Sequence, residues 1–158
     1  PNLLLEAVFV LEAVADARTR VDQFLPPAPV RILLDIHGRD LTDEKSSAEL
    51  AGEVEDAPLP RFLQRPGLNG TLLKNLVAAA ADRAEERAKG LKKSARETAA
   101  AALTAELQRL VDLAKYNDHV RAEEIELARK QVLQTRTAIE QARLRLDSIR
   151  LVVQGVDA

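Results

Sequence analysis

Residues 3–15 read LLLEAVFVLEAVA, and whether they form a strand or a helix decides the fold. At period two, Leu3, Leu5, Ala7, Phe9 and Leu11 share one face, while Leu4, Val8 and Val10 share the other with Glu6 and Glu12. Val8, Phe9 and Val10 favour an extended backbone, and two largely apolar faces describe a strand inside a sheet covered on both sides. A helix over the same residues is the alternative, since Leu, Glu and Ala are good helix formers. So apolar a segment needs neighbours on both sides, yet only Pro1 and Asn2 precede it and the sequence contains no Met. The expectation is a piece of a longer protein.

Outward from that stretch, Arg18 to Phe24 reads as a short strand, Pro26, Pro27 and Pro29 bend the chain, and Val30 to Asp35 forms another strand. His37-Gly38 is a tight turn returning through Arg39 to Leu41, which makes residues 1–41 a meander of antiparallel strands. Residues 42–70 are acidic and rich in Pro and Gly, a connector with one short helix near Ser46 to Val54. Residues 71–147 are helical, with a turn near 116–120 and a kink or loosened turn expected at Gly90. Leu103, Leu107, Leu110 and Ala114 trace one apolar stripe; Ile125, Ala128, Val132, Ile139, Ala142 and Leu146 trace a second. Stripes joined by so short a turn should face each other as an antiparallel helical hairpin. Its second helix, over 121–147, would be roughly 40 Å long. Asn117 or Asp118 would cap that helix, with Glu123, Glu124 and Glu126 near its positive end and Arg143 and Arg145 near its negative end. Leu127 and Leu144 fall off the stripe and mark either sheet packing or a partner surface. Residues 148–154 restore strand character and should close the sheet beside the opening strand. The fold class is α+β: a small antiparallel sheet of N-terminal strands plus the C-terminal strand, packed with a long helical region.

Composition narrows the chemistry. The 158 residues are 46% hydrophobic but only 3% aromatic, so aliphatic side chains must fill the core. With no Cys, disulfides and thiol chemistry are excluded, and the cytoplasm is the expected compartment. No run of about 18 apolar residues offers a membrane span, so no membrane partner is expected. The net charge of -2 is not that of a dedicated nucleic-acid binder. Neither a Gly-x-x-x-x-Gly-Lys-Ser/Thr loop nor a Gly-x-Gly-x-x-Gly cradle occurs, so the chain should not itself bind nucleotide. His37 and His119 would need carboxylates to make a metal site, and Ser46, Ser47, Ser94 and Ser148 carry no nucleophile signature. No catalytic, cofactor or metal residue is assigned. Glu85-Glu86 and Glu123-Glu124 point in different directions on a helix and read as solvated. Glu6 and Glu12 should instead meet Arg31 or Arg150 across the sheet as a structural ion pair.

Two basic groups are candidates for nucleic-acid or partner contact. Lys89, Lys92, Lys93 and Arg96, in RAKGLKKSAR, fall near one helix face, and Arg129, Lys130 and Arg136 lie on the second helix. Asp82, Glu85, Glu86 and Glu97 interleave with the first group, as on a solvated helix.

LLLEAVFVLEAVA at 3–15, RVDQFLPPAPVRILLDIHGRDL at 20–41, KKSARETAAAALTAELQRL at 92–110 and RLRLDSIRLVV at 143–153 together carry a more specific signal. In order and spacing they resemble the C-terminal region of the RapA family, bacterial RNA polymerase-associated SWI/SNF-type ATPases. The resemblance implies a single C-terminal domain cut from a larger cytoplasmic translocase, whose two ATPase lobes precede it. Implied partners are RNA polymerase, DNA through the parent protein, and the ATPase lobes of the same chain. ATP and Mg would serve the parent only. The implied role is a non-catalytic module that docks on polymerase or regulates the ATPase; the alternative is a nucleic-acid guide using the basic helix faces.

Overall fold

In a computed structural model, residues 2–52, 54–58, 60, 63, 64 and 67–155 are described. The elements are strand β1 (Asn2–Glu12), 3-10 turns at Ala17–Thr19 and Val21–Gln23, strand β2 (Ala28–Asp35), helix α1 (Ser47–Gly52), helix α2 (Gly70–Ala114), helix α3 (Ala122–Glu140) and strand β3 (Arg143–Gln154). The fold is α+β, with a three-stranded antiparallel sheet ordered β2-β1-β3. The opening stretch is therefore a central strand. Leu3, Leu4, Leu5, Ala7, Phe9 and Leu11 are all buried, which explains why apolar residues occupy both of its faces. Pro29 falls within β2, an edge strand of the sheet, where a missing N–H is tolerated.

The chain divides into two compact units. The first comprises residues 1–10, 29–86 and 146–158. Its core joins Leu4, Leu33, Leu50 and Val152, with Leu41 packed against it. Leu50 is supplied by α1, whose start is fixed by a capping box: Glu49 N–H donates to Ser46 Oγ at 3.2 Å, and Ser46 N–H donates back to Glu49 Oε2 at 2.7 Å. The turn after β2 is built on Asp35, whose Oδ1 accepts from the His37 and Arg39 amides at 2.8 and 2.9 Å. Gly38 takes φ 79°, and a single bridge pairs Leu34 with Asp40.

The second unit comprises residues 11–28 and 87–145. Leu11, Val21, Leu25, Ala88, Ala95, Ala99, Ala138, Ile139 and Ala142 form its core. The α2 contribution is mostly alanine, which lets a helix backbone approach its neighbours closely. Of the stripe expected on this helix, Leu103 is buried, whereas Leu107, Leu110 and Ala114 are only half-buried. α2 runs through Gly90 without a break in helical assignment.

Three local expectations are corrected. Arg18 to Phe24 is not a strand: Asp16 Oδ1 accepts from the Arg18 amide at 3.0 Å, and Arg20 turns left-handed at φ 54°, which closes two 3-10 turns. The second helix ends at Glu140, and β3 begins at Arg143, not residue 148. Leu146 thus lies in a strand, where Arg143-Leu144-Arg145-Leu146 alternates at period two. At 19 residues α3 is about 28 Å long. Its N-cap position is Arg121, while Asn117 holds the preceding turn by accepting from the His119 amide at 3.0 Å.

Candidate functional site

Within the first unit, Glu6 is a buried carboxylate on the central strand, met from both sides. Arg31 Nε on β2 donates to its Oε1 at 2.6 Å, and Arg150 Nη2 on β3 comes within 2.7 Å of its Oε2 without hydrogen-bond alignment. Arg31 is itself anchored, since Nη1 donates to the carbonyls of Thr42 and Lys45 at 3.2 and 2.8 Å. Burial acts to raise the Glu6 pKa, but the Arg31 hydrogen bond, the Arg150 and Arg31 charges and the Ser47 hydroxyl outweigh it and hold the carboxyl below its ordinary value. Both arginines named from the sequence reach Glu6. In the second unit Glu12 pairs with Arg145 at 3.1 Å instead. These are cross-strand ties between neighbours, and their chemistry is structural.

The basic candidates lie on helices of the second unit. On α2, Lys93 approaches Glu97 at 4.0 Å and Arg96 approaches Glu140 at 3.9 Å. On α3, Arg129 approaches Glu126 at 3.9 Å, and Arg136 donates from Nε to Glu140 at 3.0 Å. Glu140 Oε1 therefore serves Arg96 and Arg136 together, an antiparallel cross-link between the two helices that the sequence spacing did not reveal. Lys89 is exposed and also has a partner; Lys92 is half-buried. At 100° per residue Arg129 and Arg136 lie about 20° apart, with Lys130 turned about 100° away onto another face. The three α3 candidates are thus not one patch. Lys130 forms no ion pair among the described residues.

Turns of the chain are pinned onto α3. Thr135, fully buried, donates from Oγ1 to the Thr19 carbonyl at 2.6 Å, and Gln131 Nε2 reaches the Arg18 carbonyl at 3.5 Å. Beside this seam a shallow depression of about 290 Å³ is lined by Val14, Ala15, Leu133, Gln134, Thr137, Ala138 and Gln141. Val14 is 89% exposed and Leu133 64%, positions the apolar-stripe reading passed over. Of the two off-stripe leucines, Leu127 is 65% exposed while Leu144 packs against the core. A second, open depression lies near the end of α2, lined by Gln108, Arg109, Asp112, Leu113 and Tyr116 among others.

Among the described residues no group of three or more His, Asp or Glu could hold a metal ion, and no helix is long and apolar enough to cross a membrane. His37 and His119 each sit in a separate turn.

Comparison with known proteins gives this arrangement a family. The chain is 32% identical over 154 residues to the RNA polymerase-associated protein RapA of Vibrio cholerae serotype O1 (strain M66-2), covering 96% of this chain. It is 32% identical to the protein of that name from Actinobacillus pleuropneumoniae serotype 3 (strain JL03) and 35% identical to that from Stutzerimonas stutzeri (strain A1501), each over 98% of this chain. In every case the chain spans only 16% of the relative's length. The family described as RNA polymerase recycling family C-terminal matches residues 1–154, nearly the whole chain, and the chain belongs to it.

Proposed function

We propose that this chain is one module of a longer protein, a non-catalytic accessory domain of an ATP-dependent translocase that associates with RNA polymerase and promotes its recycling. The module docks on polymerase or restrains the ATPase lobes of its own chain. The observation that carries this reading is the family match over residues 1–154, together with relatives named as RNA polymerase-associated. ATP and Mg belong to the lobes of the parent, DNA is met through them, and the compartment is the cytoplasm. The chemistry of the residues agrees: the polar interior is spent on ties such as Glu6 to Arg31 and Thr135 to Thr19, which hold elements in place.

The alternative, direct nucleic-acid contact through Lys89, Lys92, Lys93, Arg96, Arg129, Lys130 and Arg136, has less behind it. Lys93, Arg96, Arg129 and Arg136 each face a carboxylate of this chain, which a phosphate would have to displace. The test is a titration of the 158-residue chain against core RNA polymerase, and separately against duplex DNA, at low and high salt. Polymerase binding that survives salt is expected. DNA binding that collapses steeply with salt would replace the docking reading with the nucleic-acid one.

A further inference from the structure

α1 is held to the sheet far more lightly than the turn that delivers it. That turn is pinned along the outer edge of β2: the Leu41 N–H donates to the Leu33 carbonyl at 2.8 Å, the Leu33 N–H donates to Thr42 Oγ1 at 2.9 Å, and Arg31 Nη1 holds the carbonyls of Thr42 and Lys45. Beyond Ser46 the ties thin out. Every α1 residue but Leu50 is exposed, and Leu50 is 1% exposed. It closes the cluster of Leu4, Leu33 and Val152, while the Ser47 hydroxyl reaches Glu6. The capping box between Ser46 and Glu49 lies within the segment, so it shapes the helix without fastening it to the sheet. A free helix of 6 residues is far too short to hold together in water, so α1 exists because Leu50 is seated. Unseating one leucine is a much smaller step than unfolding a sheet whose central strand is buried on both faces, and lightly packed segments of this kind open on their own.

We propose that residues 46–52 are a strap that lifts and unwinds while the three strands stay paired, and that it gates the apolar spot formed by Leu4, Leu33 and Val152. Closed, Leu50 occupies that spot from within the chain. Open, three aliphatic side chains are bared on the face of β1 that carries Glu6, with Leu41 kept in place by its bond to Leu33. The strap is a property of this chain alone and stands or falls apart from the docking reading above.

Hydrogen exchange of the 158-residue chain in increasing urea tests the opening. The amides of residues 49–52 should exchange through an opening that hardly depends on urea, well ahead of those of β1, which should follow global unfolding. Leu50→Ala should speed the α1 amides by roughly tenfold or more beyond any change in β1. What the strap covers is read by thiol labelling, since the chain has no cysteine of its own. Leu33→Cys, beneath the strap, should label at the rate of the α1 opening, whereas Ala7→Cys, fully buried on the other face of β1, should label only with global unfolding. Amides of α1 that share the urea dependence of β1 would overturn the strap, and this measurement needs no substitution. A Leu33→Cys thiol that labels no faster than Ala7→Cys would overturn the gate, because the opening would then bare nothing.

Discussion

Glu6 shows how one residue can govern three strands. Its carboxylate sits between Arg31 and Arg150, and removing the charge leaves two guanidinium groups facing each other around a neutral amide. Glu6→Gln should therefore destabilise the chain by about 2–4 kcal/mol, toward the lower end because both arginines keep some solvent contact. Urea unfolding measures it. The pH dependence has a definite sign. The folded-state pKa of Glu6 lies below its unfolded value, so the unfolded chain binds more protons in the acid range and stability rises with pH. The contribution is complete above the ordinary carboxylate pKa of about 4.3 and is lost as pH falls through the depressed folded value. Glu49, held low by the Ser46 amide and hydroxyl, acts in the same direction, so Glu6→Gln should reduce the acid-side slope without abolishing it. An ion pair here was legible in the sequence, because a period-two reading of residues 3–15 puts Glu6 and Glu12 among apolar side chains and leaves cross-strand arginines to neutralise them; that Glu6 takes both Arg31 and Arg150 while Glu12 turns to Arg145 depends on the strand register and was not. The sharing of Glu140 between Arg96 and Arg136 was not, because it depends on the register of two helices.

Elements were legible where periodicity and turn chemistry agreed. The Gly38 turn carries a clear local pattern; for β1 the β-branched and aromatic run at Val8, Phe9 and Val10 outweighs the helix alternative, and the long helix is clear apart from the kink expected at Gly90, which does not occur. The end of α3 does not: Ala142 and Leu146 continue a three- and four-residue stripe while Leu144 and Leu146 also alternate with arginine. Pairing with the 11-residue β1 settles the ambiguity in favour of a 12-residue β3. The 3-10 turns were misread because their determinant is a side-chain cap, Asp16, and not a hydrophobic pattern. Their attachment can be tested. Thr135→Val keeps the shape but leaves the Thr19 carbonyl unmet inside the core, and should cost about 1–3 kcal/mol, whereas Thr135→Ser keeps the donor and should cost less. Gly90 gives a change of the opposite sign. It is helical, and an added Cβ would meet nothing within 4 Å, so Gly90→Ala should raise stability by about 0.5–1 kcal/mol in the same unfolding assay.

On the scale of the whole molecule, each compact unit is assembled from segments far apart in the chain, residues 1–10 with 29–86 and 146–158 in one, 11–28 with 87–145 in the other. Terminal trimming is therefore a poor way to map function here. Ending the chain at Arg145 would remove Val152 from a core and Arg150 from Glu6, and should abolish cooperative unfolding of the sheet. Shortening the helical hairpin from its tip is the cleaner cut. The Arg96 to Glu140 contact places residues near 104 opposite residues near 132, and beyond that register Leu107, Leu110, Ile125 and Ala128 are only half-buried. Replacing residues 107–129 with a short Gly/Ser turn keeps every member of the second unit's core, along with Thr135, Lys130 and Leu133. The shortened chain should melt cooperatively at a cost of about 1–2 kcal/mol, because half-buried side chains contribute only part of their transfer energy. Its affinity for core RNA polymerase, measured beside that of the intact chain, locates the docking surface. A cooperative melt with binding lost would place the docking surface at the tip, near Leu113 and Tyr116, the latter 90% exposed; binding retained would place it on the remainder of the chain.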